Sequence, residues 1–158
     1  MNKLPIHQVF GGKLRLRVSG ILIENEKILL VKHQMSENSH LWSPPGGGLQ
    51  FGESIKNCLK REFAEETGLS ISVGNFLFIN EFLEPPLHAI ELFFEVKTEN
   101  GKLEKGIDPE MNEETQIIKE VAFKTLAELQ TEEPAFIHKC FRELKDWQDI
   151  FQKNTFYE

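Results

Sequence analysis

Two stretches near the start of the chain carry the apolar and polar pattern of half-buried strands. Residues 14–24 (LRLRVSGILIE) and 27–34 (KILLVKHQ) are rich in apolar and β-branched residues and are separated only by Asn25-Glu26, which predicts a hairpin. The cluster Ser43-Pro44-Pro45-Gly46-Gly47-Gly48 interrupts any regular element and reads as a loop. Over 54–67 the period changes to that of a helix, with Gly68 as its stop. Two more β segments follow at 71–83 and 88–97, separated by Glu84-Pro85-Pro86, and the polar, acidic stretch 99–114 reads as a long loop. A strand is expected at 117–124, a short helix at 125–130 and a longer amphipathic helix at 134–151, where Phe136, Cys140, Leu144 and Trp147 recur at helical spacing. Without repeats or a linker, 1–158 reads as a single α+β domain, a mixed sheet with helices against it.

The 54–67 helix breaks its own pattern. Ile55, Cys58, Leu59 and Phe63 form an apolar stripe, and the next positions of that stripe are Glu62 and Glu66. Glu65 lies about 60° from Glu62 on the same side, since each residue turns roughly 100°. Burying carboxylates without a counter-charge is costly, and crowding them adds to the cost. Arg61, four residues before Glu65, pairs with one acid but does not neutralise three. A hard divalent cation such as Mg²⁺ or Mn²⁺ does, holding a few carboxylates and leaving positions for water and phosphate. A solvated acidic helix edge is the competing reading.

The net charge of −7 argues against stable nucleic-acid binding but not against a small anionic substrate beside a metal. Neither cysteine, Cys58 nor Cys140, has a partner at zinc or redox spacing, so both read as reduced thiols. The start, Met-Asn-Lys-Leu-Pro, lacks a signal-like apolar run and no window approaches a membrane span, so a cytoplasmic protein is expected.

Ahead of the helix, Gly46, Gly47 and Gly48 allow close backbone approach, and a glycine carbonyl is itself an acceptable metal ligand. Gly47, five residues, Glu53, seven residues, then Arg61-Glu62-Phe63-Ala64-Glu65-Glu66-Thr67-Gly68-Leu69 resembles the Nudix box at every defined position (47–69). The likeness extends over about 14–129. It implies the Nudix α/β/α sandwich and Mg²⁺-assisted water attack on the diphosphate of a nucleoside diphosphate derivative, such as a nucleoside triphosphate, ADP-ribose or a nucleotide sugar. It also implies that Glu62, Glu65 and Glu66 are metal ligands with the Gly47 carbonyl. Arg61 then orients the acids, and Glu53 braces loop against helix.

Other roles are left to candidates. Glu110, Glu113 and Glu114 precede the 117–124 strand, and Glu114 is the favoured general base; three solvated loop acids is the alternative. Arg15 and Arg17 alternate with Leu14 and Leu16, so both face one side of the sheet and suit a phosphate. Phe51, with Trp42 and Phe82, is a candidate to stack on a base, though packing explains such aromatics equally well. His33 and His88 show no zinc spacing and read as incidental. A non-catalytic nucleotide sensor is the competing function, and an isoprenyl-diphosphate isomerase would need a catalytic cysteine that Cys58, on the core face, does not supply. The aromatic-rich 76–94 leaves a homodimer open.

Overall fold

The computed structural model describes residues 5–152 and 156–157. In chain order the elements are α1 (Pro5–Phe10), β1 (Leu14–Ile21), β2 (Ile23–Glu24), β3 (Lys27–Ser36), β4 (Ser39–Ser43), β5 (Gly46–Gly48), α2 (Ile55–Thr67), β6 (Leu69–Glu84), β7 (Leu87–Gly101), β8 (Ile118–Thr125), α3 (Leu126–Gln130), α4 (Gln148–Gln152) and β9 (Phe156–Tyr157). Among the described residues they form two sheets with helices against them, the expected α+β class. One sheet runs β5-β1-β7-β6-β9; in the other β3 pairs with β2, β4 and β8. The first sheet is mixed: β1 lies parallel to β7 and antiparallel to β5.

The expected hairpin exists only in part. Asn25 and Glu26 both take positive φ, 50° and 62°, which suits a two-residue turn between right-twisted strands. That turn joins β3 to the short β2 alone, because β1 belongs to the other sheet. Gly46–Gly48 is not a loop but an edge strand, held by the β1 ladder rather than by any propensity of its own.

Helix α2 has the ends its sequence predicts. The Ser54 side chain accepts the Asn57 N–H at 3.2 Å, and Gly68, at φ 73°, donates to the Ala64 carbonyl at 3.1 Å. Its Cys58, Leu59 and Phe63 are fully buried with Val18 and Val96 of the sheet and Leu22 just after β1. Gly20 permits this approach, since a Cβ there would lie 2.6 Å from the Phe63 ring.

The long C-terminal helix does not form. Residues 134–151 hold 3₁₀ turns at Pro134–Phe136 and Lys139–Phe141 and only the short α4 near the end. Ile137 and His138 take extended backbone, and Ile137 bridges to Trp42. Cys140, Leu144 and Trp147 are nevertheless buried in the main core, with Phe78, Phe93 and Trp42. No helix among the described residues is long and apolar enough to cross a membrane.

Candidate active site

Residues opposite one another on paired strands share a face. Val18 packs on α2 and pairs with Gly47, so the missing Gly47 side chain points at the helix. A Cβ there would overlap the Glu62 carboxylate. The glycine edge strand therefore lets the acids of α2 reach a cavity of about 840 Å³, counted out to its open mouth. Glu62, Glu66, Gly46 and Gly47 line one end, Arg15 and Arg17 the middle, and Phe82, Met35, Leu87 and Glu91 the remainder.

Arg61 organises the acid end. Its Nε donates to Glu53 Oε1 at 2.8 Å and Nη2 to Glu53 Oε2 at 3.0 Å, while Nη1 donates to Glu62 Oε1 at 2.7 Å and Glu65 Oε2 at 3.1 Å. Nη2 also reaches the Gly48 carbonyl at 3.3 Å, tying helix to edge strand. The hydrogen bonds from Arg61 hold Glu53 below the usual carboxylate range. Glu66 Oε2 accepts the Gly46 N–H at 3.0 Å. Glu62 and Glu66 are 9% and 4% exposed, as their stripe positions require. Burial, then the Glu66 charge, push the Glu62 carboxyl up to about 7 despite Arg61.

The donors present are the test of whether a metal suits the site. Two buried acids crowd one wall, Arg61 reaches only Glu62 of the two, and the glycine edge strand runs alongside. An all-oxygen donor set of this kind suits Mg²⁺ or Mn²⁺, which bind through one or two carboxylates and substrate phosphate. The expected trio of carboxylate ligands does not converge: Glu65 is held by Arg61 and is absent from the cavity wall, and no three acidic, histidine or cysteine side chains stand at metal-ligand spacing among the described residues.

Arg15 and Arg17 both line the cavity. Arg17 Nη2 donates to the Gly46 carbonyl at 3.2 Å, and Arg15 lies 3.9 Å over the Phe10 ring. Burial, then the like charge of Arg17, lower Arg15 to about 10, so it stays a cation at neutral pH but an incompletely paired one.

Three expectations are corrected. Glu114 lies in an exposed 3₁₀ turn away from the cavity, and the loop acids on its wall are Asp108 and Glu110. They are brought there because the loop docks on the end of α2: Glu104, Gly106 and Ile107 donate their N–H groups to the Thr67, Glu66 and Glu65 carbonyls at 2.9, 2.9 and 3.2 Å. Phe51 is fully exposed and off the cavity wall, since it sits in the turn between β5 and α2. His33 is not incidental: its Nδ1 meets Ser43 Oγ at 3.2 Å and its Nε2 lies 3.7 Å from Glu66 Oε1. His88 also lines the cavity and contacts Glu81 at 2.9 Å. Of the other aromatics, Phe82 reaches the cavity whereas Trp42 is buried in the core, its Nε1 donating to Glu132 at 3.2 Å. The Cys58 thiol is buried and pushed up to about 12, which removes it as a nucleophile.

Sequence reasoning missed the deepest charged pair. Glu91 Oε2 lies 2.8 Å from His138 Nε2 and accepts from Asn80 Nδ2 at 2.6 Å. Burial works against both charges, but each partner outweighs it: His138 with Arg17 and Asn80 hold Glu91 low, and Cys140 with Glu91 raise His138. A signal existed, because Glu91 falls on the inward phase of β7 with Leu87, Ala89 and Phe93.

A profile described as the NUDIX domain matches residues 13–147. The chain is 32% identical over 93 residues to the ADP-ribose pyrophosphatase of Methanocaldococcus jannaschii, covering 58% of this chain and 55% of that protein. It is 32% identical over 76 residues to an 8-oxo-dGTP diphosphatase of Buchnera aphidicola, 48% of this chain and 59% of that one. The matches thus span little more than half the length of these curated relatives. A Nudix hydrolase from Nitrosomonas europaea has the same fold, with a TM-score of 0.65 at 21% identity over 78% of this chain and 80% of that chain.

Proposed function

This chain belongs to the Nudix family, and from that premise we propose that it hydrolyses the diphosphate linkage of a nucleoside diphosphate derivative. The observation that carries the reading is the pair of buried acids, Glu62 and Glu66, at one end of a cavity whose middle is two arginines. Glu62 and Glu66, beside the glycine edge strand, would hold the divalent cation, magnesium or manganese. When bound, that ion supplies neutralising charge and orientation for the diphosphate. Arg61, clamped between Glu53 and Glu65, fixes Glu62; the Gly46 N–H and His33 fix Glu66. Arg15 and Arg17 grip the phosphate oxygens. Glu110 stands at the cavity wall 3.9 Å from Arg15 and takes the proton of the attacking water. The two relatives are named for ADP-ribose and 8-oxo-dGTP, both nucleoside compounds with a diphosphate, which supports the substrate class without choosing a member.

The test is a panel of nucleoside diphosphate compounds with Mg²⁺. Phosphate or mononucleotide release that EDTA abolishes is expected. Glu66→Gln should lower kcat/KM by about 10³-fold, roughly 4 kcal/mol of barrier, while the protein stays folded. Wild-type turnover by that variant sinks the account of the acid end. No turnover of any compound, with a nucleotide still raising the melting temperature, would point to a sensor.

A further inference from the structure

The strand register makes the cavity floor a ruler. Gly48 of β5, Arg17 of β1, Glu91 of β7 and Asn80 of β6 are successive cross-strand partners and form one row on one face. The next row on that face is Arg15, Ala89 and Phe82. Neighbouring strands are roughly 4.8 Å apart, so Glu91 stands about 10 Å from the glycine edge, with Arg17 halfway. A diphosphate held at the acid end and gripped by the arginines therefore delivers its attached group over β7.

The chemistry there is specific. Glu91 is 7% exposed, and both of its close hydrogen bonds fall on Oε2. Among the described residues Oε1 has only Arg17 Nε, at 3.7 Å and beyond hydrogen-bond reach, while Arg17 Nη2 is held by the Gly46 carbonyl. At Glu91 the floor therefore offers an acceptor, Oε1, and a group that meets it must bring N–H or O–H. Beside Glu91, the single methyl of Ala89 separates Arg15 from Phe82, and Met35 and Leu87 add apolar wall. A polyol would lose hydration against such walls, whereas a flat heteroaromatic ring stacks on them.

Resting on the diphosphate-hydrolysis reading, we propose that this end of the cavity is a nucleobase slot, in which Glu91 Oε1 accepts a hydrogen bond from an exocyclic amino group of a ring laid over Ala89. The substrate class is a nucleoside polyphosphate with an amino-bearing base, and Glu91 is its specificity-determining residue. A site built to pair a donor discriminates strongly against the analogue that lacks it.

The test compares pairs that differ by that amino group alone, GTP with ITP and ATP with purine riboside triphosphate, on the wild-type protein with Mg²⁺. The amino compound should be favoured in kcat/KM by about 10-fold or more in at least one pair. Both pairs within about 3-fold would overturn the proposal. Glu91→Gln should shrink the preference to about 1- to 3-fold; an undiminished preference would also overturn it. Because that variant disturbs His138, Ala89→Leu is the second: filling the slot should raise KM about 10-fold with a much smaller change in kcat, and an unmoved KM counts against the slot. If no nucleotide is turned over at all, the hydrolysis reading fails by itself. The slot is then decided by calorimetry, where GDP binding tighter than IDP supports it and equal affinity rejects it.

Discussion

Glu62 and Glu91 are both buried carboxylates on the wall of one cavity, and their chemistry is opposite. Burial and the neighbouring Glu66 push Glu62 up to about 7. Burial opposes the charge of Glu91 too, yet His138, Arg17 and Asn80 overcome it and hold that carboxyl at about 2. Glu91 has a buried cation of its own, whereas the Arg61 guanidinium at Glu62 is shared with Glu53 and Glu65 and leaves negative charge in excess beside Glu66. A folded chain tolerates the second arrangement where something positive is expected to arrive, which is how perturbed groups mark a working site.

Neutralising each acid is the sharpest way to break that comparison. Glu91→Gln leaves His138 buried without its counter-charge, and breaking a buried pair costs about 3 kcal/mol. For a domain of this size that lowers the melting temperature by roughly 10 °C. Glu62→Gln, measured in EDTA at neutral pH, should do the reverse and raise it by a few degrees, since it relieves repulsion by Glu66. Thermal melts of the two variants decide the matter. If both fall together, the acid end is already balanced and the case for a cation there collapses.

A smaller effect separates the two ends of the cavity. The loop bearing Asp108 and Glu110 is docked on α2 through Gly106, where a Cβ would overlap the Glu65 carbonyl oxygen. Gly106→Ala must shift the loop and carry Glu110 away from the cavity wall, where the proposed reading has it activate the water. Steady-state kinetics should show kcat down by about 10-fold with KM nearly constant, because the arginines and the β7 end are untouched. Added to Glu110→Gln, the substitution should cost little more, since both remove one function. Full additivity would mean that the loop acts by some other route.

How much of this was legible in the chain follows from what each signal encodes. Period and spacing report which side chains turn inward, so Glu62 and Glu66 could be singled out from the stripe of Ile55, Cys58, Leu59 and Phe63. The same signal misled at 134–151: Cys140, Leu144 and Trp147 do face the core, but a segment of 3₁₀ turns buries them as well as a helix would. Gly46–Gly48 looked like a loop because an edge strand of glycines carries no propensity, only the pairing that β1 imposes. Glu110 was passed over for Glu114 because the docking of the loop on α2 is a tertiary fact. Glu91 could have been read from the alternation of β7, as Glu62 was from the helix; its partner His138, remote in sequence, could not.

The gentlest test of the comparison is pH. His138 is raised from 6.5 to about 10, so its contribution to stability is present in full below 6.5 and is lost as pH rises toward 10. Glu91 is lowered from 4.5 to about 2, so its contribution is full above 4.5 and is lost as pH falls toward 2. The pair therefore stabilises the fold most between pH 4.5 and 6.5. The gap in melting temperature between the wild type and Glu91→Gln should be widest in that window and should narrow on both sides. Cys140, Arg17 and Asn80 also contact or act on the pair. A gap that stays constant from 4.5 up to 10 would mean that Glu91 holds His138 as a neutral hydrogen-bond partner, and the fold would then not be supplying this carboxylate with a cation after all.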